Sequence, residues 1–227
     1  MKGIIYQKII YYMLLVPVFN SCATLSFAPN VDSKDIRSVA LFPIVSPVIY
    51  IGEDDNVSVD ENMSATYHYL ISSAIDMTSL SNGVKYVDMQ HKDTELMLEF
   101  MKYLRRYSFK QIWSCPVPEK LLSYIDSYQC QYGLIVVAEG MKRNNKSLWR
   151  NPFKYATVSE VDDPLTGSTA LQFTAHSRYS NTYAAIIDLK NKAVIYYSKY
   201  ELEDNDPTDY RKVCRQIKKT LSPFKTN

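Results

Sequence analysis

The chain has 227 residues, 46% of them hydrophobic, with 26 Lys and Arg against 24 Asp and Glu and a formal charge of +2. That length suits one domain with a sizeable core. The basic residues come as pairs, Arg105-Arg106 and Lys218-Lys219, which read as solvated helix faces, and no run follows a phosphate backbone, so nucleic acid is excluded as a partner.

The first element is a short basic start, Lys2 and Lys8, followed by an apolar run from Ile9 to Phe19, then Asn20-Ser21-Cys22. Because those lysines are the only charges before Cys22, the remaining chain is neutral. The run is far shorter than the roughly 20 apolar residues of a spanning helix. It contains Pro17, and polar residues close it, the pattern of a cleavable secretory signal.

The stretch Leu14-Leu15-Val16-Pro17-Val18-Phe19-Asn20-Ser21-Cys22 resembles the signal of a bacterial lipoprotein. Phe19 stands where that family usually has Leu, a relaxed box similar to those of the Bacteroidetes. The resemblance implies that residues 1–21 are removed and that Cys22 carries palmitate-type acyl chains. It also implies that the membrane is a partner through that anchor. Each buried methylene of such a chain adds about 0.8 kcal/mol, so two or three chains hold a protein far better than one. No acid follows until Asp32. Lipoproteins exported to the cell surface in that group often carry acids directly after the cysteine. The resemblance therefore points to the outer membrane, facing the periplasm. Residues 22–35 read as an uncharged tether and 36–224 as a single domain.

Within the domain, Ser38 to Ile44 is a continuous apolar run of strand length, expected to be covered on both faces. Ser46 to Val57, with Pro47, Gly52 and Glu53-Asp54-Asp55, reads as a loop. Met63, Tyr67, Leu70, Ile71, Ala74 and Ile75 recur at helical spacing and predict a helix from about Glu61 to Thr78, capped by Asp60. Val84 to Asp88 is a short strand. Leu96, Phe100, Tyr103 and Leu104 mark a second helix, from about Thr94 to Tyr107. Glu119 to Asp126 is a third helix, after the break at Cys115-Pro-Val-Pro118. Gly133 to Ala138 is a second buried strand.

Met141 to Thr157 reads as irregular, and Leu171, Phe173 and Ala175 alternate with polar residues after a turn at Asp162–Gly167. Thr182 to Leu189 and Ala193 to Tyr200 form a hairpin. Asp206-Pro207-Thr208-Asp209 reads as the start of a last helix, with Asp206 as cap and Pro207 at the first position. The fold class is α/β (α+β): a single mixed sheet of about five to six strands with helices packed on it, ending in a C-terminal β-hairpin and a helix. The 19 tyrosines against eight phenylalanines read as β-formers on a half-exposed sheet face.

This order, with Ser38-Val-Ala-Leu-Phe-Pro43, Tyr132 to Val137 and the hairpin Ala185–Asp188 to Val194–Tyr197, resembles the CsgG-like, LpoB-like and TolB N-terminal-like domains of envelope lipoproteins. The resemblance implies a non-enzymatic accessory module that binds an envelope protein. Two other functions have sequence requirements of their own. A pore or secretion subunit needs long membrane hairpins, for which only Tyr155–Val161 and Leu171–His176 stand available. A polymer hydrolase needs paired carboxylates or a nucleophile with its base.

The chemistry-bearing residues are sparse. His68, His91 and His176 stand alone, without ligand spacing, so no metal site and no cofactor is expected. No glycine-rich phosphate loop and no Gly-x-Ser-x-Gly elbow is present. Cys115 before Pro116 reads as a structural thiol rather than a nucleophile. A helix between Cys115 and Cys130 holds them apart, so they are expected to be unbonded. Cys214 shares a helical face with Tyr210, Ile217 and Leu221 and is expected to be buried. Glu201 to Asp209 is acid-rich but lacks the glycine and final glutamate of a calcium loop.

Overall fold

The computed structural model describes residues 23–224 apart from 30, 34, 35, 37, 79, 81, 82, 107, 108, 151–155, 163–168, 176 and 204. In chain order the strands are β1 (Ala23–Phe27), β2 (Val39–Leu41), β3 (Val48–Ile51), β4 (Val57–Val59), β5 (Val84–Tyr86), β6 (Tyr132–Arg143), β7 (Ala156–Asp162), β8 (Thr169–Ala175), β9 (Arg178–Asp188) and β10 (Ala193–Glu203). The helices are α1 (Glu61–Asp76), α2 (His91–Leu104), α3 (Phe109–Ile112), α4 (Glu119–Ser127), α5 (Asn145–Arg150) and α6 (Tyr210–Thr220).

Eight strands form one sheet in the order β1-β10-β9-β6-β2-β5, with β3 also on β6 and β4 on β3, while β7 and β8 pair separately. The sheet is mixed: β2 and β3 run parallel to β6, β9 antiparallel to β6, and β10 antiparallel to β9. Strand β6 organises it because its run of Leu134 to Ala138 is buried on both faces. Leu134, Val136 and Ala138 point into one core, with Ala184 and Ile186 of β9. Ile135 and Val137 point into the other, with Tyr183, Ala185 and Ile187. The first core is closed by α1, through Tyr67, Leu70, Ile71, Ala74 and Ile75, and by α6, through Val213, Cys214 and Ile217. The second is closed by α2, through Met97, Phe100, Met101 and Leu104, and by α4, through Leu121, Leu122 and Ile125. Three layers result, with helices on both faces of the sheet.

Strands β2 and β3 lie on the same flank of β6. Between them, Ala138 N donates to Val45 O at 2.8 Å and Gly140 N to Pro47 O at 3.0 Å. Pro43 and Pro47 supply no N–H, which splits one flank into two short strands. The loop expected over Ser46 to Val57 is therefore a correction: it contains β3 and β4, joined by a turn in which Asp55 has φ 60° and Gly52 N donates to Asn56 O at 2.9 Å. The β-branched and aromatic run Val48-Ile49-Tyr50-Ile51 outweighs the turn residues around it.

Other differences are local. The expected tether over 22–35 instead contains β1, antiparallel to β10 from Ala23↔Tyr200 to Phe27↔Tyr196. Phe27 packs at 4.8 Å from the Tyr196 ring and 6.0 Å from Phe224, tying the first strand to the last turn. β1, β3 and β4 are the strands that widen the sheet to eight. The last helix is capped by Asp209, which accepts from Lys212 N at 3.2 Å, not by Asp206, which accepts from Thr208 N at 2.9 Å in the turn before it. The tyrosines depart most from expectation: Tyr67, Tyr183 and Tyr196 are 0% exposed and Tyr197 and Tyr200 2%. Cys115, Cys130 and Cys214 are buried free thiols.

Candidate functional site

Past Ala138 the sheet changes character. β6 continues as Glu139-Gly140-Met141-Lys142-Arg143, and β9 beside it carries Arg178, Ser180 and Asn181. Glu139 pairs with Asn181 of β9, and Asn181 with Glu201 of β10, which makes one polar row next to the row Val137, Tyr183, Lys199. Arg105, at the C-terminus of α2, reaches over both rows. It donates to Glu139 Oε1 at 2.8 Å, and its guanidinium stands 4.1 Å above the Tyr183 ring. Tyr183 donates to Glu201 Oε1 at 2.8 Å, and Lys199 Nζ lies 2.9 Å from Glu201 Oε2. The side chains of Arg105 and Glu139 are 31% and 32% exposed, so the pair is only partly screened.

The electrostatics follow from that half-burial. Burial pushes the Tyr183 hydroxyl far above the usual tyrosine value, Glu201 adds to the rise, and Arg105 opposes it. Tyr197 is raised by burial as well, against Arg105, and Tyr179 by burial and Glu139. Burial works against the charge of Arg105, but Tyr183 and Glu139 outweigh it and raise the guanidinium overall. Tyr183 therefore stays protonated at neutral pH, where it is a hydrogen-bond donor. Each carboxylate is matched to a cation. The chain Lys199–Glu201–Tyr183–Arg105–Glu139 clamps the end of α2 onto three strands.

On the opposite face of the same strands lies a second, fully buried network. Ser180 Oγ donates to Gln216 Oε1 at 2.5 Å, and Asn205 Nδ2 donates to Ser180 Oγ at 2.8 Å. Gln216 Nε2 donates to Ser180 O at 2.8 Å and to Tyr200 O at 3.2 Å. These bonds pin α6 to β9 and β10. Burial pushes the Tyr67 hydroxyl up to about 12, eased by the nearby hydroxyls of Ser180 and Thr182. Tyr67 Oη and Thr182 Oγ1 nevertheless lack hydrogen-bond geometry to any described group.

At the very end of β6, the Arg143 side chain is 0% exposed and 3.6 Å from Asp55 Oδ1. Its Nε donates to Ser147 Oγ and its Nη2 to Ser147 O, both at 2.8 Å. Ser147 in turn donates to Asp55. Lys146 Nζ lies 2.9 Å from Glu53 Oε1, and Asn144 N donates to Ile51 O at 2.9 Å. Helix α5 is thus fastened to the β3–β4 turn, and it carries Trp149 85% exposed. Val57 and Val59 of β4 are 56% and 59% exposed.

The residues singled out from the sequence are not brought together. Cys22 and His176 lie outside the described residues, although Ala23, the next residue after Cys22, opens β1. His68 is exposed on α1, and His91 opens α2, 3.7 Å from Glu95. Among the described residues no three His, Cys, Asp or Glu side chains converge as metal ligands. Within the acid-rich stretch, Glu201 belongs to the clamp and Asp209 caps α6. Asp206 lies 3.3 Å from Lys142 Nζ and 3.9 Å from Arg178 Nη1. The Cys115 thiol is buried, and burial raises it, the opposite of an activated nucleophile. β7 and β8, which contain most of the expected membrane hairpin, pair antiparallel from Ala156↔Ala175 to Asp162↔Thr169. No helix among the described residues is long and apolar enough to cross a membrane.

Sequence reasoning missed the clamp. Arg105 was expected on a solvated helix face, yet it is the cation over Tyr183. The available signal was Glu139 directly after an apolar strand run, a carboxylate that continues a core face.

No known protein family and no curated protein matches the chain. Among solved structures it is similar to the PelC dodecamer of Paraburkholderia phytofirmans, with 12% identity and a TM-score of 0.42, over 91% of this chain and 99% of that one. A leucine-to-methionine variant of the same dodecamer gives 12% and 0.40 over 91% and 99%. A PDZ domain protein from Parabacteroides distasonis gives 10% and 0.35, over 90% of this chain and 36% of that one. At these scores the likeness carries no functional conclusion.

Proposed function

We propose that the chain is a lipoprotein of the cell envelope, anchored through Cys22, whose α/β domain is a non-enzymatic interaction module on the periplasmic side of the outer membrane. The observation that carries this reading is the sequence from Leu14 to Cys22: a short apolar run ending in Asn20-Ser21 and a cysteine. Two features of the fold support it. Strand β1 begins at Ala23, the residue after the cysteine. The charged groups of the sheet end pair with one another across α2, β6, β9 and β10, a use that stiffens a binding surface.

The experiment is mass spectrometry of the N-terminus after extraction from membranes, with cross-linking in intact cells. The expected result is an N-terminal peptide that begins at acylated Cys22, and a reproducible cross-linked protein. An unmodified Cys22 still joined to Ser21 refutes the anchor. Extraction that repeatedly yields the protein free of any partner refutes the interaction role.

A further inference from the structure

We infer that the end of the sheet carrying Trp149 rests on the bilayer that holds Cys22, with the indole seated among the lipid headgroups. This rests on the anchor reading above and adds an orientation to it. The first observation is one of direction and length. Cys22 is one residue from Ala23, and consecutive Cα atoms are about 3.8 Å apart, so there is no slack between the anchor and β1. Because β1 is antiparallel to β10, tracing it backward from Ala23 leads toward the C-terminal end of β10. Ala23 stands in the row of Tyr200, Thr182 and Ala138. β6 continues past that row to Arg143, which is about 17 Å at roughly 3.4 Å per residue. Within the eight-stranded sheet, β6 and its partner β3 reach furthest on the anchor's side, one row past β9 and two past β10.

The second observation is what stands there. Trp149 is 85% exposed, the most exposed of the described large apolar side chains. It sits on a helix fixed by Arg143, Ser147 and Asp55, so the indole is presented on a held support. Val57, 56% exposed, lies in the same outermost row, opposite Ile51. An indole, apolar with one N–H donor, favours the boundary between headgroups and acyl chains.

The third observation is charge. Lys146 is matched by Glu53, while Lys142 and Arg178 share Asp206. The end is close to neutral, which suits zwitterionic headgroups and makes the contact insensitive to salt. A single indole does not hold a domain on a membrane. Beside acyl chains that already do so, it is the second signal that fixes orientation.

The test uses the full lipidated protein, reconstituted in phosphatidylcholine vesicles. The chain has two tryptophans, so Trp113→Phe leaves Trp149 as sole emitter and Trp149→Phe leaves Trp113, which packs against the second core. In vesicles whose phosphatidylcholine carries bromine near the headgroup, Trp149 emission is expected to fall at least about twofold, as for an interfacial indole. Trp113 emission is expected to stay unchanged. Trp149 emission that is unquenched in vesicle-bound protein, whether red-shifted in water or blue-shifted against another protein, overturns the orientation and leaves the anchor standing. Protein that leaves the vesicles and shows no acyl mass on Cys22 overturns the anchor itself.

Discussion

Replacing Arg105 by Met keeps an unbranched apolar stem and removes the guanidinium, so it isolates what that group contributes. Two contacts are lost: the 2.8 Å bond to Glu139 and the position 4.1 Å above the Tyr183 ring. Exposed ion pairs contribute about 0.2–1 kcal/mol, and this pair, about one-third exposed, belongs at the upper end. A cation over an aromatic ring contributes about 0.5–1 kcal/mol when exposed and about 2 when desolvated. Tyr183 is buried, so a value between these applies. Arg105→Met is therefore expected to lower the unfolding free energy by about 1.5–3 kcal/mol. The assay is urea denaturation at pH 7 followed by far-UV circular dichroism. Double-mutant cycles with Glu139→Gln and Tyr183→Leu divide the loss, and each coupling is expected to reach about 0.5 kcal/mol or more. In 1 M salt the Glu139 coupling is expected to persist better than that of the exposed pair Lys192–Glu119. Additive behaviour in both cycles would show that the clamp is only proximity and refute the reasoning.

Three further outcomes are expected. At Gly133 a Cβ would stand 2.6 Å from Ile125 Cδ1 and 2.8 Å from Phe42 Cε2, and at Gly140 2.8 Å from Pro207 Cβ. Either glycine-to-alanine change is expected to cost about 1–3 kcal/mol in the same titration, with Ile125→Ala partly offsetting the first. Tyr67, Tyr183, Tyr196 and Tyr197 are all raised by burial above the ordinary 10.0. Their contribution is full below that value and falls as pH rises beyond it, so absorbance at 295 nm and circular dichroism are expected to change together above about pH 10. Ionisation of these four with an intact spectrum contradicts their burial. Burial alone would raise Asp206, but the bonds from Thr208 and the charge of Lys142 outweigh it and hold it below the ordinary 3.8. Its stabilisation is present above that value and lost as pH falls through the lowered one. Asp206→Asn is thus expected to flatten the acid limb of the stability profile by up to about 1 kcal/mol, the group being partly exposed.

The parts of the fold legible in the sequence were those written in period and composition. The apolar run Gly133 to Ala138 and the helical spacing of Met63 to Ile75 located the central strand and α1, because burial on both faces, or along one stripe, leaves a pattern. What stayed hidden depended on partners distant in sequence. Ala23 to Phe27 is too short to announce a strand until β10 offers its edge. Val48 to Ile51 is a strand because β6 continues beside it, past two prolines. The tyrosine count gave no hint that Tyr67, Tyr183 and Tyr196 fill the cores, and the acceptors that receive the hydroxyls of Tyr183 and Tyr196, Glu201 and the Thr220 carbonyl, are distant in sequence. The clamp escaped notice for the same reason: Arg105 and Glu139 are 34 residues apart.

The pairing of β1 also decides how the molecule bears mechanical load. A pull on residue 22 along the strand acts on five paired rows at once, from Ala23↔Tyr200 to Phe27↔Tyr196. That is shear, in which the rows resist together, rather than unzipping, in which they yield singly. Behind the last row the rings of Phe27, Tyr196 and Phe224 interlock, at centroid separations of 4.8, 6.0 and 5.4 Å. The strain is passed to β10 and to the C-terminal turn. A drag on residue 22 is thus carried by the whole sheet, and β1 is the splice that passes it on.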